Sequence, residues 1–181
     1  MERMGVNETE TIVLGGGCFW CTEAVIKMLR GVTGTEPGYA GGAKENPTYK
    51  EVCTGRTGHA EVLRVEYDPK GIALEKLLEV FVAMHDPTSI GRQGNDIGSQ
   101  YRSIILYTSE DQRKRAAAFL ERAQKDFNRP IVTEVKKLDK FWPAEEYHRD
   151  YYSKNPLQPY CLIEIGPKIA KVKRKFASLM K

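Results

Sequence analysis

The chain has no uninterrupted apolar run of about 18 residues, so nothing in it is expected to cross a membrane. It has three histidines, His59, His85 and His148, and they lack the paired spacing of a zinc module. Tetrahedral zinc wants four ligands, and the lone CxxC of Cys18 and Cys21 supplies two of them, so no metal is expected. A dinucleotide cofactor is excluded on its own pattern, because Gly15 and Gly17 are followed by Trp20 where the fingerprint needs glycine. No cofactor of any kind is expected. Repeats, linkers and low-complexity tracts are missing too. The opening "MERMGVNETE" lacks the apolar stretch of a secretory leader, which sets a reducing cytoplasm as the expected compartment.

The 181 residues are 41% hydrophobic and 29% charged, enough for a real core in one domain spanning 1–181. A net charge of +4 is mild, and much of the excess lies in "KIAKVKRKFASLMK". That tail reads as the solvated face of a basic helix over 167–181, not as a nucleic-acid site. Residues 1–10 are expected to be flexible, and the chain is expected to be a monomer.

Residues 11–14, "TIVL", suit a buried strand. Apolar spacing predicts a helix from Cys18 to about Leu29. Residues 37–58 are rich in glycine, hold Pro37 and Pro47, and read as one long loop of the kind that carries function. "HAEVLRVEYDP" alternates as a strand, and Leu74, Leu77, Leu78, Phe81 and Val82 mark an amphipathic helix. After a second irregular stretch come the strand "SIILYT" and a helix capped by Ser109 and Gln112 that runs to about Asp126. "IVTEV" reads as a strand and "AEEYHRDYYSKN" as a short helix. This mixture points to an α+β domain of two layers with antiparallel pairing.

"GGGCFWC" places Cys18 at a helix start, where a thiolate is favoured, behind glycines that allow a tight turn and a close ligand. Cys21, three residues on, shares its helix face. Thiol chemistry needs a proton donor, groups to hold oxygen, and a second thiol. Glu61 at a strand start, Tyr49 in "NPTYKEVC", and Asp96 and Tyr101 in "NDIGSQYRS" are the candidates. Cys53 reads as buried and inert. His85 reads as a core or helix-end histidine, and Arg102 and His59 as supporting groups.

Taken together, "GGGCFW", "GYAGG", "NPTYKEVCTGRTGHAEVLRVEYDP", "HDPTS", "GNDIGSQYRS" and "HRDYYSKNPLQPYC" resemble the peptide-methionine (S)-S-oxide reductases over nearly the whole chain. The resemblance implies a ferredoxin-like core with long irregular loops and a C-terminal extension. It also implies reduction of methionine sulfoxide, free or in proteins, with a thioredoxin-type reductant as partner. Cys18 then looks like the nucleophile, Phe19 and Trp20 like the wall that holds the substrate methyl, and Glu61 like the acid. Tyr49, Tyr101 and Asp96 resemble the polar groups around the oxygen. An acid in that role must be protonated near neutral pH, hence buried. Two schemes follow for the oxidised nucleophile: Cys21 resolves it directly, which is the expectation, or Cys161 and Cys21 act in relay. A short loop favours Cys21, and the strain of a bridge inside a helix argues against it.

Overall fold

The computed structural model describes residues 8–181. In chain order its elements are β1 (Glu10–Gly15), α1 (Phe19–Ile26), β2 (Val32–Ala40), α2 (Tyr49–Val52), β3 (Ala60–Tyr67) and α3 (Leu74–Ala83). A small hairpin, β4 (Arg92–Gln93) and β5 (Asp96–Ile97), leads to β6 (Ile104–Tyr107) and α4 (Glu110–Ala123). Then follow β7 (Glu134–Lys137), β8 (Phe141–Pro143), α5 (Tyr151–Lys154) and α6 (Gly166–Lys175). The flexibility expected of 1–10 falls mostly outside the described residues; Glu10 itself is already in β1, paired with Tyr67.

Six strands form one sheet in the order β7-β6-β1-β3-β2-β8. The inner four are antiparallel, with α1 linking β1 to β2 and α3 lying between β3 and β6. This is the split β-α-β arrangement of a ferredoxin-like core. At the edges β8 pairs antiparallel with β2, while β7 joins β6 in parallel.

The uninterrupted apolar run of β1 is explained by burial on both faces. Ile12 and Leu14 pack with α1 and α3, and Val13 joins Ala60, Val62, Ile104 and Leu106 on the opposite face. The expected capping of α4 is present, with the Ser109 hydroxyl accepting from the Gln112 N–H. On α6, Ile169 and Val172 face inward and Lys171, Lys173, Arg174 and Lys175 face solvent, as the basic tail suggested.

Four local expectations are corrected. The stretch 37–58 is not one loop: β2 continues through Ala40 because β3 and β8 pair with it on both sides, and Thr48 caps the short α2. The strand expected at 131–135 begins at Glu134, since the Ile131 and Val132 N–H groups donate to Gln124 Oε1 and the Pro87 carbonyl instead of a strand. The helix expected over 144–155 is broken by Asp150 in a left-handed conformation, its N–H donating to Glu23 Oε1 at 2.7 Å. Finally, α1 stops at Ile26, three residues before Leu29.

Candidate active site

The three glycines before Cys18 each have a different reason. A side chain at Gly15 would sit 2.8 Å from the Glu61 carbonyl, and one at Gly16 would sit 2.7 Å from the His85 ring. Gly17 has φ +83, a backbone region that side chains rarely adopt. The turn is pinned by the Gly17 N–H donating to the Tyr101 carbonyl at 3.1 Å. It delivers Cys18 to the N-cap of α1 with extended backbone, 7% exposed.

Glu61 stands beside this turn, on β3. The residue is 1% exposed, and Oε1 accepts the Phe19 N–H at 3.2 Å. The other oxygen, Oε2, is buried with no partner. Burial raises its pKa to about 8, opposed by the Phe19 bond and reinforced by Asp96 and Cys21. A carboxyl with that pKa carries its proton at neutral pH.

The two thiols share a hydrogen bond, so their protons come off as a pair. Burial, the Cys21 bond and the Glu61 charge push Cys18 well above an ordinary thiol. The bond with Cys18, Lys168 and Tyr160 bring Cys21 down to about 7 against burial and Asp96. The helix-start argument alone does not place the charge on Cys18, because desolvation outweighs it there. Around Cys21, the Tyr160 hydroxyl lies 3.7 Å and Lys168 Nζ 3.8 Å from Sγ. Tyr160 in turn donates to Asp96 Oδ2 at 2.7 Å.

Aromatic rings close the site. Trp20 stacks on Tyr151 with centroids 3.7 Å apart, and its indole N–H donates to His148 Nδ1 at 2.9 Å. Indole only donates, so Nδ1 must accept, and neutral His148 carries its proton on Nε2. Phe19 packs between Tyr39, Tyr49 and His148 and is 1% exposed. Tyr49 and Tyr101 are half-buried, and burial and the Glu61 charge push both hydroxyls up. Glu145 fixes the Tyr49 backbone and the Tyr39 hydroxyl, each at 3.0 Å.

The structure thus gathers Cys18, Cys21, Glu61, Tyr49, Tyr101, Asp96, Phe19 and Trp20 around one end of α1. Cys161 lies 0% exposed at the start of a π-helical turn, Cys161–Ile165, that runs into α6. His85 is a half-buried structural group bridging the Phe81 carbonyl and Ser103 hydroxyl at 2.6 and 2.7 Å. Tyr160, Lys168 and His148 went unread as site residues. Only their positions in the fold, on segments more than 120 residues away from α1, bring them there. A cavity of about 560 Å³ lies next to Trp20 between α1, α5 and α6, but no thiol lines it, and we do not equate it with the site. Among the described residues no cluster of His, Cys, Asp and Glu could hold a metal ion.

Cys53 is exposed, not buried: it follows α2 at the surface, its thiol against Tyr49. In native protein titrated with a disulfide reagent at pH 8, we expect Cys53 to label fastest and Cys161 to be protected until denaturant is added. Fast loss of the Cys161 thiol would contradict its burial.

A family profile described as peptide methionine sulfoxide reductase matches residues 10–180. The peptide methionine sulfoxide reductase MsrA of Haloquadratum walsbyi is 54% identical over 168 residues, covering 93% of this chain and 97% of the relative. Methionine sulfoxide reductase A of Corynebacterium diphtheriae superposes with a TM-score of 0.80 at 38% identity, covering 87% of this chain and 79% of that one. The structure of Mxr1 from Saccharomyces cerevisiae in complex with Trx2 matches with a TM-score of 0.58 at 25% identity, covering 83% of this chain and 90% of that one. With matches spanning nearly its whole length, this chain belongs to the peptide methionine sulfoxide reductase family.

Proposed function

We propose that this chain, acting as one catalytic domain over 1–181, reduces the S epimer of methionine sulfoxide, free or in proteins, through Cys18. The observation that carries this reading is Glu61: a buried carboxyl with one oxygen unpartnered near a pair of thiols, a setting that raises its pKa to about 8 and so keeps its proton on at neutral pH. Cys18 sulfur attacks the sulfoxide sulfur as Glu61 gives its proton to the oxygen, so that oxygen never bears a bare charge. Tyr49, Tyr101 and Asp96 hold the oxygen, and the rings of Phe19 and Trp20 face the methyl group. The oxygen passes to Cys18 sulfur as its bond to the methionine sulfur breaks; methionine leaves, the Cys18 thiol proton replaces the one Glu61 gave, and Cys18 is left as a sulfenic acid.

Cys21 then attacks the Cys18 sulfur, forming the disulfide and releasing water. A dithiol partner of the thioredoxin type clears the bridge by exchange, a reading supported by the yeast relative's structure with Trx2. Four free cysteines and the need for that reductant favour the cytoplasm. None of the described helices is long and apolar enough to cross a membrane.

Turnover of separated epimers with dithiothreitol tests the proposal. Methionine is expected from the S epimer only, and none from Cys18→Ser. Equal rates on the R epimer would overturn the epimer assignment, and methionine from Cys18→Ser would overturn the nucleophile.

A further inference from the structure

We propose that Lys168, delivered by α6, is a positioning residue that holds the Cys21 sulfur charged and aimed for attack on oxidised Cys18. This rests on the reading of Cys21 as the resolving thiol. The tail around Lys168 is otherwise a solvated basic face: Lys171, Lys173, Arg174 and Lys175 all point outward. Lys168 alone among these is half-buried, with Nζ 3.8 Å from Cys21 Sγ. The Tyr160 hydroxyl also lies 3.7 Å from the sulfur and donates to Asp96. The ammonium is the group with a proton to give the sulfur; the hydroxyl, its one proton spent on Asp96, holds the segment before α6 beside it.

The groups acting on Cys21 are Cys18 from its own helix, Glu61 from β3, Asp96 from β5, Tyr160 and Cys161 from the C-terminal segment, and Lys168. Lys168 is the cation of the set, and Asp96 opposes it. Its importance grows after the first chemical step. In the reduced enzyme the Cys18 thiol helps hold charge on Cys21, but once Cys18 is a sulfenic acid that thiol hydrogen bond is gone. The ammonium remains.

The step itself balances within the protein. The Cys21 thiolate gives an electron pair to Cys18 sulfur; the sulfur–sulfur bond forms as the sulfur–oxygen bond breaks. The departing hydroxide takes up the proton that Cys21 released on ionising, returned through solvent, and leaves as water. No outside oxidant enters.

Removing the ammonium should raise the Cys21 pKa. Below that pKa each unit of rise costs tenfold in thiolate, partly offset because a more basic thiolate is about threefold more nucleophilic. The net loss is about threefold per unit at low pH, turning to a gain of about threefold at high pH. We would follow bridge formation after a single turnover without reductant from pH 6 to 10, with mapping of the bridge by mass spectrometry. Lys168→Met should slow bridging about threefold to tenfold at pH 6.5, and its profile should cross wild type on the alkaline side. Lys168→Arg should restore the wild-type profile, which a purely structural loss would not allow. Iodoacetamide alkylation of Cys21 in reduced protein should shift alkaline in the same variant. An unshifted profile with a Cys18–Cys21 bridge overturns the role of Lys168 alone. A Cys18–Cys161 bridge with Cys21 free overturns the resolving role of Cys21, and with it this proposal, even where the alkylation shift is present.

Discussion

Glu61→Gln is expected to cut sulfoxide turnover by about 10²–10⁴, the usual contribution of a positioned acid, while making the protein more stable at alkaline pH. Glutamine keeps an oxygen to accept the Phe19 N–H and removes the proton that the sulfoxide oxygen needs. Its effect on stability follows from linkage. The Glu61 carboxyl holds its proton more tightly folded, to about pH 8, than it would in an unfolded chain, where it titrates near about 4.3. The wild-type fold is therefore favoured fully at pH 4 and loses ground as pH climbs to 8, because a charge must be created in a buried site. Glutamine has no charge to create. Thermal unfolding should put the variant level with wild type near pH 4.5 and several degrees above it at pH 9, using about 2–4 °C per kcal/mol for a domain of this size. Parallel curves across that range would show that Glu61 is ionised in the fold, and the acid role would fall with it.

Cys21→Ser is expected to separate the two halves of the reaction. The first methionine should appear in an amount close to one per chain, because Cys18 and Glu61 are intact. Steady turnover with a thioredoxin-type reductant should drop by about 10² or more, with Cys18 trapped as a sulfenic acid that dimedone labels. Cys161→Ser should leave both phases within about twofold. Position, not burial, supports this asymmetry: both thiols are enclosed, but Cys21 sits three residues from Cys18 and acts directly on it, whereas Cys161 heads a π-helical turn on a separate segment. A collapse of turnover in Cys161→Ser, with Cys21→Ser unaffected, would move the resolving role to the C-terminal segment.

The parts of the fold that the sequence made legible are those whose pattern is local. α3 announces itself by its apolar period, α4 by its Ser109 cap, and β3 by alternation up to Pro69. β2 and β8 were illegible because "VTGTEPGYA" and "FWP" carry little strand pattern of their own; each forms because a neighbour offers hydrogen bonds. The same division runs through the site. Cys18, Cys21 and Glu61 could be picked out by residue type and setting, and the raised carboxyl follows from burial. Tyr160, Lys168 and His148 could not be, since a tyrosine, a lysine in a basic run and a scattered histidine have nothing local to mark them. Cys53 misled for the opposite reason: its apolar neighbour Val52 is buried, but the chain turns at Cys53 and leaves its thiol outside.

The C-terminal residues lie against the far end of α1. Leu29 bridges Met180, the Arg30 N–H donates to the Leu179 carbonyl, and the Lys181 N–H donates to the Met28 carbonyl. Arg30 also reaches the Ser178 carbonyl, a contact spanning 148 residues of chain. The helix that carries both thiols is thus clasped at one end by Glu61 and at the other by residues 178–181. Closing a circuit that long is entropically costly and slow compared with the local turns, so it belongs late in assembly. The active site is seated, in this topology, only once residues 178–181 have docked: cutting their contacts with residues 28–30 would loosen the seat of Cys21 without touching a single side chain around its sulfur.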